Sequence, residues 1–344
     1  MRIFAKRTEA KRALSLVERL QDDFVGQLNA LSRDFGTDRV FEAIEWKRDG
    51  GIHGGGVRYE SRDPSLFNSA SINVSQVHYD EDETKKLSSA TAISAIVHPA
   101  NPHAPSMHMH ISWTQMRDGA GYWRMMGDLN PSLENTLFQK KFETALKEVA
   151  KEHYEEAKAQ GERYFTIPVL GRTRGVSHFY LENFNRGDFE IDKEFAKEIG
   201  STIIDVYHNI LTEAFAKHTS STLEEKMRQI DYHTLYLFQV LTLDRGTTSG
   251  LLVHDQNDIG IMGSIPLYIN RPLLQTWLDL MPHPQEKLLL GILDALPSGK
   301  IVQITATVKK ALADAVRAHY KEFPHALNMQ AGTEIVADTV DNHQ

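Results

Sequence analysis

Six successive runs between Phe41 and Met126 alternate apolar with polar residues, and the turns between them are short. Parallel neighbours need a crossover of a dozen or more residues, so this spacing predicts antiparallel pairing. The runs cover 41–47, 55–60, 67–79, 90–98, 107–115 and 121–126. Ahead of them Leu14, Val17, Leu20, Phe24, Leu28 and Leu31 recur at helical spacing before Gly36, which predicts an amphipathic helix over 9–34. Behind them Phe142, Leu146, Val149 and Ala157 mark a helix ending at Gly161, and Phe195, Ile199, Ile203, Val206, Ile210 and Ala214 mark a longer one. Further strands are expected over 175–184, 231–243, 249–253 and 259–263, with helices near 272–281 and 285–295. The chain reads as α+β, a large antiparallel β-sheet flanked by helices on both faces, in one domain over 1–302. Residues 303–344 form an extension. Val308, Leu312, Ala315, Val316 and Tyr320 predict a helix over about 305–322 that stops at Pro324 and packs on the body or on a partner subunit. The last twelve residues should be a disordered, flexible tail, and truncation after Asn328 should be harmless.

Composition removes several kinds of chemistry. The 344 residues include no cysteine, which excludes disulfides, thiolate metal sites and a cysteine nucleophile and leaves His, Asp, Glu and Arg for any reaction. A net charge of −8 argues against nucleic acid or an anionic membrane as a general partner, so an anionic substrate must be met by local arginines. No run of eighteen apolar residues predicts a membrane span, and the start MRIFAKRTEAKR has neither the apolar core nor the cleavage site of a secretion signal. The expectation is a cytoplasmic protein.

Histidines concentrate where two strand-like runs meet. His98, His103, His108 and His110 fall within thirteen residues, around a turn stiffened by Pro99, Pro102 and Pro105. With period two, His108 and His110 share a face, placed to bind a metal, hold an anion or move protons. In SASINVSQVHY, Asn73, Ser75 and Val77 share one face, which suits either a site or a solvated surface. RDGGIHGGGVRYE carries five glycines before Arg58, matching neither a phosphate loop nor a dinucleotide fingerprint; a flexible hairpin explains it as well as an anion nest does. LGRTRGVSHFYLENF places Arg172 and Arg174 ahead of a strand that would carry His178 and Glu182. In LTLDRGTTSGL, Asp244 and Arg245 follow an expected strand and precede a Gly-Thr-Thr turn; in a strand their side chains would point to opposite faces.

The ordered set GGGVR, INVSQVH, IVHPANPHAPSMHM, GDLNP, RTRGV, LDRGT with SGL, and IMGSIPL resembles the oxygen-dependent coproporphyrinogen III oxidase family, over roughly residues 42–302. The His-Pro-x-Asn-Pro block and the Asp-Arg-Gly-Thr turn are its most distinctive parts. The resemblance implies a large antiparallel sheet flanked by helices, a homodimer, and oxidative decarboxylation of two propionates of a tetrapyrrole to vinyl groups. Molecular oxygen would be co-substrate, with no organic cofactor and no metal. It implies His108, Asp244 and Arg245 as catalytic residues. Ser94, His98, Asn101, His110, Arg58, Arg124, Asp128, Arg174, Gly246 and Thr247 would bind the substrate.

These residue types suit that chemistry. A carboxylate at Asp244 can accept hydrogen bonds from several pyrrole N–H groups and stabilise cationic charge developing on the ring. Arg245 can hold a propionate with its fork, and the imidazole of His108 can accept or donate a proton. The chain also departs from the family pattern. Where the family has His-x-Asn-x-Arg, this chain has His108, Met109, His110, Ile111 and Ser112. Arg124, in an altered glycine run, is the expected replacement for the missing strand arginine, with Arg58 as a second. Two other readings fit the same residues: a non-catalytic tetrapyrrole-binding protein, and a histidine-metal enzyme on the same scaffold.

Overall fold

The computed structural model of the chain describes residues 1–331. The twelve-residue tail expected to be disordered, and the residue before it, lie outside the described residues. The first helix, α1 (Thr8–Phe35), buries the stripe from Leu14 to Leu31 that its spacing predicted. Then come β1 (Glu42–Lys47), β2 (Gly54–Glu60), β3 (Phe67–His78), β4 (Leu87–Pro99), β5 (Ser106–Met116) and β6 (Gly121–Asn130). Helices α2 (Thr136–Ala150) and α3 (Tyr154–Phe165) follow, with a small hairpin of β7 (Thr166–Ile167) and β8 (Arg172–Thr173), and then β9 (Val176–Phe184). The main sheet has seven strands in the order β1-β2-β3-β4-β5-β6-β9, every pair antiparallel. The glycine cluster makes the β1–β2 hairpin: Gly50 and Gly51 take positive φ in the turn, where a side chain would be strained.

Alternation gives the sheet two different faces. Ile72, Val74, Ile93, Ala95, Met109 and Ile111 point to one side, into a core shared with α1, α2 and α4 (Phe189–Lys217). Gly127 in β6 belongs to this packing, because a Cβ there would meet the Ile203 side chain at 2.6 Å. The other side carries polar groups and is covered by α5 (Leu223–Thr242), α6 (Arg245–Val253) and the short α7 (Asp258–Ile261). A second core joins Ile96 of this face to α5, to α8 (Arg271–Gln275), α9 (Gln285–Ala295) and α10 (Ala306–Glu322). Helices therefore flank both faces, and α10 falls close to its expected bounds, packed on α9. No helix among the described residues is long and apolar enough to cross a membrane.

The expected strands over 231–243, 249–253 and 259–263 are helical instead. Every residue from His233 to Thr242 in α5 is buried, so the segment shows no polar face from which a 3.6-residue period can be read. Its start was nonetheless marked: Thr222 and Glu225 form a capping box. The single helix expected from Phe142 to Gly161 is divided into α2 and α3 by a 3-10 turn at Lys151–His153, where Lys151 takes a positive φ, and α3 runs on to Phe165, since that glycine is a contact rather than a stop. A Cβ there would lie 2.7 Å from His178 Cβ, so the missing side chain is what lets α3 close on β9. The helix expected over 272–281 is interrupted, with α8 followed by a separate 3-10 turn at Leu278–Leu280.

Candidate active site

The polar face of the sheet and the N-terminus of α6 enclose a cleft with about 1270 Å³ of empty space, counted to its open mouth. Ser71, Asn73 and Ser75 of β3 line its floor, so the polar line in that strand faces a site rather than solvent. Three cross-strand pairs lie on the same face, Ser94 opposite His110, His108 opposite Asp128, and Ser112 opposite Arg124, and of these Ser94, His108, His110 and Arg124 line the cleft.

His108 is oriented from behind. Its Nδ1 lies 2.8 Å from Asp128 Oδ1, and the other oxygen of Asp128 accepts from Arg174 Nη2 at 2.9 Å and Asn130 Nδ2 at 2.6 Å. Burial alone would raise the Asp128 carboxyl, but the Arg174 charge and the His108 hydrogen bond outweigh it and hold the group well below the usual carboxylate range. An ionised Asp128 can only accept, so it takes the Nδ1–H of His108 and leaves Nε2 as the ring nitrogen available to exchange a proton. Arg174 is itself fixed between the rings of Phe165 and Tyr236, at 4.3 and 4.4 Å, with Nη1 donating to Gln239 at 2.7 Å. His110 is a different kind of histidine. Its Nδ1 sits 2.7 Å from Ser94 Oγ, and burial together with Arg124 pushes it down to about 3, so it stays neutral and bonds rather than titrates.

Asp244 and Arg245 arrive from the opposite wall. Because α6 begins immediately after it, Asp244 is the N-cap: Oδ1 accepts from Thr247 N at 2.6 Å, and Oδ2 accepts from the Tyr164 hydroxyl at 3.1 Å. The expectation that the two charges point to opposite faces of a strand fails for this reason, and both line the cleft. Gly246 and Thr247 also line it. Arg245 pairs with Glu182 of β9, and Arg124 reaches the same Glu182 oxygen at 3.8 Å. Glu182 is fully buried and faces both guanidinium groups.

Four expected substrate contacts are placed elsewhere, the first being Asp128, fully buried behind His108 with both oxygens taken by His108, Arg174 and Asn130. Asn101 donates to the His218 carbonyl at 2.6 Å and accepts from His103 N, which ties the proline-rich turn to the end of α4. Buried His98 bonds Ser106 Oγ at 2.8 Å and the Ser264 carbonyl at 3.0 Å, beneath the cleft wall. Arg58 pairs with Glu60 at 2.7 Å and reaches Asn257, outside the lining. In each case a nearer protein partner uses the polar group. Conversely, Tyr164, Gln239 and Glu182 hold the site together and were not on the expected list. Glu182 was visible as an acid within an apolar strand, whereas Tyr164 and Gln239 sit in helices where nothing local marks them. Among the described residues no group of three or more His, Asp and Glu side chains is placed to hold a metal ion.

Comparison with known proteins agrees with this geometry. Residues 12–278 match the family described as coproporphyrinogen III oxidase. The mitochondrial oxygen-dependent coproporphyrinogen-III oxidase of Rattus norvegicus is 27% identical over 289 residues, covering 74% of this chain and 62% of that protein. The Homo sapiens protein of the same description is 26% identical over 282 residues, covering 72% and 61%. The oxygen-dependent coproporphyrinogen-III oxidase of Rickettsia rickettsii (strain Sheila Smith) is 29% identical over 245 residues, covering 66% and 83%. The chain thus spans less than two thirds of the mitochondrial relatives, at 62% and 61% of their length. With its match running from α1 to the 3-10 turn after α8, the chain belongs to the coproporphyrinogen III oxidase family.

Proposed function

We propose that the protein uses molecular oxygen to convert propionate side chains of a porphyrinogen, coproporphyrinogen III in the first instance, to vinyl groups. The observation that carries this reading is that Asp244 and Arg245 of α6 share one cleft with His108 and Arg124 of the sheet. A carboxylate acceptor for pyrrole N–H groups, guanidinium groups for propionates and an oriented base are the three features such a substrate requires. Each propionate loses its carboxylate as carbon dioxide, while its β-carbon gives up one hydrogen with two electrons. Oxygen takes the two electrons and, with two protons, becomes hydrogen peroxide. His108 Nε2 accepts the proton, Asp244 stabilises charge on the pyrrole, and Arg124 and Arg245 orient the reacting carboxylate.

The electron-rich pyrrole can itself supply electrons to oxygen, so no metal or organic cofactor is part of the proposal. Activity in the presence of a chelator tests that point, and restoration of lost activity by one specific metal would favour the histidine-metal reading instead. The homodimer and the cytoplasmic location belong to the same proposal, the first tested by light scattering of the purified protein. The central experiment is anaerobic addition of reduced coproporphyrinogen III followed by oxygen. The expected product is lighter by two carbon dioxides and four hydrogens. Tight porphyrin binding with no change in mass would replace the enzyme with a tetrapyrrole-binding protein.

A further inference from the structure

The family match ends at residue 278, yet the chain beyond it closes around the turn that carries Asp244 and Arg245. On one side, buried Gln285 of α9 reaches the Thr242 carbonyl at 3.5 Å, while its amide oxygen lies 2.8 Å from His319 Nε2 of α10. After α10 the chain folds back through a 3-10 helix at Pro324–Met329. Ala331 N then donates to the carbonyl of Leu243, the residue just before Asp244, at 2.9 Å. Buried Gln330 donates to the Tyr320 hydroxyl at 3.0 Å and to the hydroxyl of Thr248, one residue past the Asp244–Thr247 cap. Ala331 also packs on the cluster of Met126, Tyr164, Phe165 and Tyr180, and Tyr164 is the residue whose hydroxyl bonds Asp244.

We propose that Gln330 is a positioning residue for the Asp244–Arg245 turn, and that residues 323–331 act as a strap holding the N-terminus of α6 against the cleft. This rests on the reading of the cleft as a porphyrinogen site. The strap bonds the turn on both flanks, at the Leu243 carbonyl and the Thr248 hydroxyl, and so fixes where the capping carboxylate sits. Misplacing a catalytic group by about 1 Å costs roughly 10²-fold in rate, so releasing one flank should be felt in turnover before it is felt in folding.

Gln330→Leu keeps the volume and removes both hydrogen bonds, and Thr248→Val cuts the shared bond from the other end. Amide hydrogen exchange over 244–250, together with kcat and KM for coproporphyrinogen III, is measured for each, in the parent and in an Asp244→Asn background. Exchange over 244–250 should quicken at least tenfold while β5 is unchanged. In the parent kcat should fall at least tenfold with KM within threefold, and in Asp244→Asn the fall should be under threefold because the strap acts through that carboxylate. A chain ending at Ala331 should match the full chain, and one ending at Met329, which also loses the Ala331 bond to Leu243, should lose at least as much as Gln330→Leu. Unchanged exchange overturns the proposal. So does faster exchange with kcat intact, equal loss in both backgrounds, or equal loss from the two cuts. If the parent does not convert coproporphyrinogen III, the porphyrinogen reading fails on that result, and exchange over 244–250 alone still decides for or against the strap.

Discussion

Arg124 of β6 stands directly across the ladder from Ser112 of β5, on the face of the sheet that lines the cleft. Ser112 Oγ and Arg124 Nε are both buried and have no hydrogen-bond partner among the described residues. Arg124 thus places a guanidinium on the neighbouring strand at the level where one was expected from β5, and we propose that it takes over that role. Arg124→Ala should raise KM for coproporphyrinogen III more than tenfold, and Ser112→Arg in that background should recover part of it. An unaltered KM in Arg124→Ala would remove Arg124 from substrate binding.

The contrast between Ser112 and Asn101 shows what could be read from the chain. Strict alternation from β1 to β6 encoded the sheet, its register of faces and the shared face of His108 and His110. Side chains on the His-Pro-x-Asn-Pro block were harder, because one short motif holds both turn-building and site-building groups. Asn101 spends its amide on the His218 carbonyl, and only the placement of α4 reveals that. The helical state of α5 was masked by burial all round, and with it the N-cap role of Asp244. Gln330 gave no signal either. It is one polar residue in a polar tail, and its partners Thr248 and Tyr320 are 82 and 10 residues away. The expectation that truncation after Asn328 is harmless took no account of Gln330 and Ala331, whose hydrogen bonds to Thr248, Tyr320 and Leu243 that cut would remove.

Two buried histidines set an acid limit on stability. Burial lowers His98 to about 4, and His233, whose ring lies 5.1 Å from it, is lowered well below its ordinary value. In the unfolded chain both take up protons near 6.5, whereas in the fold they do not, so stability present above that pH is lost as pH falls from about 6.5 toward 4. At pH 5 the loss should be about 2 kcal/mol for His98 alone. Below about 4, protonation of the unfolded chain at Asp128, which the fold keeps ionised, adds to it. Both nitrogens of His233 lack a hydrogen-bond partner among the described residues, so Phe should replace it without loss at pH 7.5. The drop in urea midpoint from pH 7.5 to 5.0 should be smaller in His233→Phe than in the parent. An identical drop would show that His233 is not one of the groups resisting protonation.

His108 is expected to act through Nε2, because Asp128 holds the other nitrogen. His108→Ala should lower kcat by about 10² to 10⁴, the usual contribution of a positioned acid or base. Added imidazole should restore part of the activity by entering the space left on the cleft floor. Activity within tenfold of the parent, with no response to imidazole, would assign the proton to another group.

Asp244 carries the largest expected electrostatic effect, and its surroundings allow the charge to be tested apart from the fold. Asp244→Asn retains an oxygen for the Thr247 N–H, so the cap on α6 persists, but it presents an amide donor where a carboxylate met the Tyr164 hydroxyl and would meet pyrrole N–H groups. Turnover should fall by about 10² to 10³, as for loss of one preorganised electrostatic group. Arg245→Lys keeps its charge against Glu182 but loses the fork, and should chiefly raise KM. Melting temperatures measured beside the kinetics separate these effects from damage to α6. If both variants stay within about tenfold of the parent in kcat/KM, Asp244 and Arg245 shape the turn and do no chemistry, and the porphyrinogen reading loses the observation that carries it.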